Sequence, residues 1–172
     1  MKVVLTGFSG TGKTTVGKIV AEQRGMKFFD VKQEIERREN DRSVRIVQVK
    51  GEEYFRGCEE AVITRLSREK DAVIAVAETA LFNPSNERHL KTGGVIICLT
   101  AEPAHILLRT SSGSDERGVL LRSTGAIRTI RKIMKMRKDA CAKADHTIDT
   151  SALTPEEVAD KVISFLNPST SG

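Results

Sequence analysis

Short runs of consecutive apolar residues alternate along this chain with longer stretches in which apolar residues recur at helical spacing. The runs lie at Val3 to Leu5, Lys27 to Phe29, Ala72 to Val76 and Val95 to Leu99, with a weaker one at Thr147 and Ile148. Strands buried on both faces read as such continuous runs rather than as strict alternation. Helical spacing occupies about 13–23, 31–39, 52–69, 85–91, 103–109, 124–143 and 155–166. This succession predicts an α/β domain built on a buried, mainly parallel sheet. No internal repeat is present, and the pattern predicts one domain over 1–167 with a flexible tail over 168–172. A polar stretch at Thr110 to Gly118, TSSGSDERG, reads as a mobile loop.

Length and composition add bounds to this picture. A chain of 172 residues suits one domain with a core of useful size. Lys2, Lys13 and Lys18 interrupt every early apolar run, so neither a secretory signal nor a membrane span is expected, and the chain reads as soluble and cytoplasmic. Cys58, Cys98 and Cys141 show no CxxC spacing, and their odd number predicts reduced, mostly buried thiols rather than a disulfide framework. The net charge of +5, from 28 basic and 23 acidic residues, suits anionic ligands in general. It does not choose among nucleotide, metabolite and nucleic acid.

The choice comes from LTGFSGTGKTTVG, Leu5 to Gly17. Gly7, four residues, then Gly12, Lys13 and Thr14 match G-x-x-x-x-G-K-[ST], after an apolar strand and at the opening of a helix. Glycines let the backbone wrap a phosphate chain with its N–H groups inward, and the helix N-terminus adds positive potential. The candidate nucleotide contacts are Gly7, Ser9, Gly10, Thr11, Gly12, Lys13, Thr14 and Thr15. Lys13 neutralises the β and γ phosphates, and the Thr14 hydroxyl is a ligand for Mg²⁺. GTPase, motor, nucleotide kinase and metabolite kinase all carry such a loop. No guanine-reading N-K-x-D is present, and no apolar run ends in Asp-Glu as in larger ATP-driven engines.

The segments GFSGTGKTTVGK, FFDVKQEIE, GEEYFRGCEE, RGVLL and RKDACAKADHTIDT, in that order and at those separations, resemble the shikimate kinases over nearly the whole chain. The resemblance implies a P-loop kinase of the nucleoside monophosphate kinase-like fold, with a five-stranded parallel sheet in the order 2-3-1-4-5, flanking helices and a lid at about 110–122. It implies phosphoryl transfer from ATP, with Mg²⁺, to a hydroxyl of a small anionic metabolite, shikimate being the first candidate. Asp30 corresponds to an aspartate that helps to hold Mg²⁺. Arg56 and Arg137 correspond to two arginines that take the substrate carboxylate, and Glu59 to the acid that fixes the first. Arg117 corresponds to the lid arginine, catalytic with Lys13 and Asp30, and Arg109 to an arginine at the adenine. The chain departs from the pattern at three places. Lys32 stands where the family has a second aspartate, Gly118 follows Arg117 in place of proline, and Ala77, Glu78 and Thr79 replace a triple-glycine turn.

The residues carry some of this by themselves. Ile127, Ile130, Ile133 and Met134 recur at helical spacing, and in a continuous helix over 124–143 Arg137 shares their inward face, where it needs an anion. Arg128, Arg131, Lys132, Lys135 and Lys138 fall on the other side as a solvated face, so no nucleic-acid partner is expected. Glu59 lies on the stripe of Phe55, Val62 and Leu66, within reach of Arg56, either as a buried carboxylate or as a surface i,i+3 pair. His89, His105 and His146 are isolated from one another and read as solvent-facing or packing residues rather than catalytic or metal-binding ones. Glu78 either accepts a proton from a substrate hydroxyl or pairs with Lys32. Two functional classes follow: a metabolite kinase with an altered acceptor pocket, or a nucleotide-binding module of the same fold without transfer.

Overall fold

A computed structural model describes residues 1–111 and 125–167. Its five strands are β1 (Lys2–Thr6), β2 (Lys27–Asp30), β3 (Ala72–Ala75), β4 (Gly94–Thr100) and β5 (His146–Asp149). They pair in parallel, in the order β2-β3-β1-β4-β5, as expected. Central β1 sets Val4 against Ile74 of β3 and Ile96 of β4. The helices are α1 (Lys13–Arg24), α2 (Val31–Glu39), α3 (Ser43–Lys50), α4 (Glu52–Leu66), α5 (Pro84–Lys91), α6 (Pro103–Ser111), α7 (Ala126–Met136), α8 (Lys138–Cys141) and α9 (Pro155–Leu166), with a 3₁₀ turn at Glu78–Phe82.

The pleat of β1 divides the core. Val3 and Leu5 belong to the cluster with Val16 and Val20 of α1 and Val158 and Val162 of α9, while Val4 joins Ile35 of α2, Ile63 and Leu66 of α4 and Leu90 of α5 on the other face. Each such side chain, fully withdrawn from water, contributes roughly 1.5–3 kcal/mol, which is why a run this apolar is a central strand. Local signals start the outer helices. Thr154 and Glu157 form a reciprocal capping box ahead of α9, with Pro155 in its first turn.

Lys2 sits in β1 yet is only 3% exposed. Its ammonium donates to the carbonyls of Ser67, His89 and Thr92 at 3.2, 3.0 and 2.8 Å, at the C-terminal ends of α4 and α5. Those carbonyls lack helical partners and carry the negative ends of two helix dipoles, so one buried cation serves both.

Two expectations need correction. The helix expected over 124–143 is broken at Arg137, whose backbone (φ −105°, ψ 7°) leaves helical geometry between α7 and α8. The cysteines are not all thiols: Cys98 of β4 and Cys141 of α8 are bonded, with Cα atoms 5.5 Å apart, and Cys58 alone is free and buried. Their separation of 43 residues hides from the sequence a proximity that the packing of α8 beside β4 creates. Denatured, unreduced protein should therefore titrate one thiol, and three after reduction. Reduction should lower stability by about 2 to 4 kcal/mol through the loop entropy released. Three thiols before reduction would show that the bond is absent.

Candidate active site

The carboxyl ends of β1, β2 and β3 lie along one edge of the sheet, where open parallel sheets bind ligands. From β1 the chain enters the glycine loop and then α1. Gly7 has φ 136°, and a Cβ there would lie 2.1 Å from the Leu99 carbonyl oxygen. No other residue type fits that contact. Gly12, the residue before α1, is left-handed at φ 95°. The Thr11 hydroxyl donates to the Phe8 carbonyl at 2.8 Å and closes the loop. Ser9 and Gly10 are half-exposed at its rim, and Thr15 is exposed one residue beyond Thr14.

Lys13, the first residue of α1, donates to the carbonyls of Gly7 and Phe8 at 2.6 and 2.9 Å. Its ammonium is thereby held at the floor of the cradle. The Thr14 hydroxyl donates to Asp30 Oδ2 at 2.7 Å, while Asp30 Oδ1 accepts from the Gln33 N–H at 3.3 Å and starts α2. Two hard oxygen donors therefore meet beside the loop, the chemistry that suits Mg²⁺, which takes few protein ligands and fills its shell with phosphate oxygens and water. The residues fit the ion.

Arg109 of α6 donates to the Thr150 hydroxyl and carbonyl at 2.9 and 2.7 Å and reaches the Gly10 carbonyl at 3.5 Å. Thr150 in turn lies 3.3 Å from the Thr11 carbonyl. This ties the glycine loop to the segment after β5. Sequence reasoning missed Thr150, for which no local pattern speaks.

A cavity of about 420 Å³ is lined by Glu52, Arg56, Glu59, Thr79, Phe82, Asn83 and Arg137. Both arginines expected to take a carboxylate thus face one space, although they come from α4 and from the break between α7 and α8. Arg56 Nη1 donates to Glu59 Oε2 at 3.0 Å and to Thr79 Oγ1 at 3.2 Å, and Nη2 donates to Glu52 Oε1 at 3.0 Å. The Glu59 side chain is 5% exposed, so the buried-carboxylate alternative holds and the surface pair does not. Burial pushes the Glu59 carboxyl above its ordinary range, Arg56 pulls it back, and the carboxylates of Glu78 and Glu52 add to the push. Glu52 precedes Arg56 by one helical turn, a spacing that could have identified it.

Glu78 does not pair with Lys32. Its Oε1 accepts from Arg137 Nη1 at 2.6 Å, and its side chain is 6% exposed. Lys32 instead lies 3.9 Å from Glu36, one turn further along α2, and is half-exposed. Arg137 sits at the break between α7 and α8, and its guanidinium reaches the start of the 3₁₀ turn. The same guanidinium stands 5.8 Å from the centre of the Phe8 ring, so a residue of the glycine loop lies against one of the arginines that line the cavity. Arg128, Arg131, Lys132, Lys135 and Lys138 are all exposed, as expected of a solvated face. Arg117 and most of the segment assigned to the lid lie outside the described residues, as does the tail 168–172.

A family model for shikimate kinase matches residues 9–167 of this chain. The shikimate kinases of Thermoanaerobacter pseudethanolicus and Caldanaerobacter subterraneus are 40% and 42% identical to it over 161 residues, covering 94% of this chain and 93% of theirs. The solved structure of shikimate kinase from Acinetobacter baumannii in complex with shikimate matches it with a TM-score of 0.88 at 29% identity, over 99% of this chain and 95% of that one.

Proposed function

Because the chain belongs to the shikimate kinase family, and so to the small-molecule kinases that use ATP with Mg²⁺, we propose that it transfers the terminal phosphoryl group of ATP to a hydroxyl of shikimate through the residues assigned above. The observation that carries this reading is the adjacency of two sites. Arg56 and Arg137 share one cavity, and Arg137 lies against Phe8, whose carbonyl accepts from Lys13. A module that only binds nucleotide has no use for two such arginines.

In this reading Arg56 and Arg137 hold the acceptor carboxylate, as planar guanidinium forks do, with Glu52 and Glu59 fixing Arg56. The loop N–H groups and Lys13 hold the phosphates. Thr14 and Asp30 are the residues that would hold Mg²⁺, which when bound neutralises charge on the phosphates. Arg109 borders the adenine, and Arg117, from the lid at about 110–122, stabilises charge on the transferred group. Lys32, beside Glu36 on α2, stands where the family has an aspartate that accepts from the acceptor's hydroxyls, and it supplies no such acceptor. No helix of the described residues is long and apolar enough to cross a membrane, and we place the enzyme in the cytoplasm, the compartment of its ATP supply. Thiols trapped in intact cells show whether the Cys98–Cys141 bond is held there against cellular reductants.

The test is ADP release with shikimate and a panel of other hydroxylated acids. Turnover with shikimate above every other acid is the expected result, and no turnover with shikimate would overturn it as the acceptor. Lys32→Asp should raise kcat/KM for shikimate about tenfold or more, because it returns a hydroxyl acceptor to a site that has a cation. A fall on that substitution would show that Lys32 has become part of the acceptor recognition.

A further inference from the structure

The two arginines of the acceptor cavity are each engaged by the turn that follows β3. Glu78 accepts from Arg137 at 2.6 Å, and Thr79 accepts from Arg56 at 3.2 Å. The family resemblance places glycines at these positions, and glycine has no side chain to offer. A carboxylate and a hydroxyl are also what a hydroxylated carboxylic acid brings to the same guanidinium groups. Glu78 is buried, 4% exposed, and stands close enough to Glu59 for the two carboxylates to repel each other.

We propose that Ala77–Glu78–Thr79 is an internal ligand of the acceptor site, in which Glu78 occupies Arg137 and must be displaced before the acceptor's carboxylate can bind. The inference rests on the reading that Arg137 takes that carboxylate. Displacement has a definite cost. Glu78 loses a charge-assisted hydrogen bond, and the Glu59 carboxylate nearby disfavours an unpaired carboxylate beside it. Affinity for a monocarboxylate is therefore set by the difference between two similar contacts. Glu78 becomes the residue that sets acceptor affinity and selectivity, while the nucleotide loop is untouched. A carboxylate that merely orients its arginine has the opposite consequence, because removing it loosens the arginine and weakens the acceptor.

Calorimetric titration of shikimate into the full chain saturated with MgADP separates the two. Glu78→Gln keeps the side chain's shape and removes its charge, and Glu78→Gly returns the family's residue. Both should bind shikimate about tenfold more tightly than the natural chain, the effect of releasing one charge-assisted bond. The KM for shikimate should fall with it, and the affinity for MgADP should stay unchanged. Equal or weaker shikimate binding in Glu78→Gln overturns the internal-ligand reading and makes Glu78 a positioning residue for Arg137. The outcome is independent of catalysis. A natural chain that turns over shikimate, with no tightening in Glu78→Gln, defeats this inference alone. Tightening in a chain that turns over no shikimate defeats the proposed acceptor alone.

Discussion

Lys13→Ala is expected to lower kcat/KM for ATP by about 10²- to 10³-fold, the effect of removing one preorganised donor from developing charge, and to weaken ADP binding at least about tenfold. The ammonium is held by two carbonyls of the loop it serves, Gly7 at 2.6 Å and Phe8 at 2.9 Å, which places it at the floor of the proposed phosphate cradle. Alanine leaves the cradle its shape. Thr11 still closes the loop onto Phe8, and Gly7 still sits against the Leu99 carbonyl. Thermal stability should therefore change little while nucleotide binding falls. Lys13→Arg should not rescue, because a planar fork cannot sit between two carbonyls as a compact ammonium does. Calorimetry with ADP and steady-state kinetics read both effects, and an unchanged ADP affinity in Lys13→Ala would remove Lys13 from the phosphate site.

Arg56→Met should fail in two separable ways. Stability should drop by about 1–3 kcal/mol at neutral pH, the effect of leaving the buried Glu59 carboxylate without its cation, discounted because the Arg56 side chain is itself 38% exposed and screened by water. Arg56 is the cation that holds Glu59 in check, and the repulsion from Glu78 and Glu52 remains when it goes. The sign of the pH dependence follows. The Glu59 carboxyl, already raised in the native state, rises further, so between its unfolded and folded values the native protein holds more protons than the unfolded chain. Stability then falls as pH increases. The deficit of Arg56→Met against the natural chain should be small at pH 4 and grow toward pH 8 in thermal melts. Adding Glu59→Gln should recover most of the stability but not the KM for the acceptor, since the guanidinium proposed to hold its carboxylate is still missing. A deficit independent of pH would assign the loss to packing of the arginine stem.

Much of the fold was legible because its signals are short-ranged. The apolar runs of β1, β3 and β4, the loop from Gly7 to Thr14 and Asp30 at the end of β2 each express their role within a few residues. Helix α3 escaped notice because SVRIVQVK is rich in β-branched residues and short. Only its burial at Ser43 and Ile46, three apart, shows the helical period. The 3₁₀ turn escaped too, since the departure from glycine was visible at Ala77, Glu78 and Thr79 but not the conformation it takes.

The chemistry proposed for the nucleotide half is written in the chain itself: a phosphate loop depends on contiguous backbone and one turn of helix, and the separations of the family's motifs carried the sheet order with it. Which partner each charged residue takes was settled by packing across the fold. Of the two cations the sequence offers Glu78, Lys32 and Arg137, the fold pairs it with the one 59 residues away. Packing likewise joined Cys98 to Cys141 and brought Lys2 to the ends of two helices. Hydrogen bonds and ion pairs act over a few ångströms, and no local pattern in a chain states which distant residues the packing of a sheet and its helices will bring within that distance.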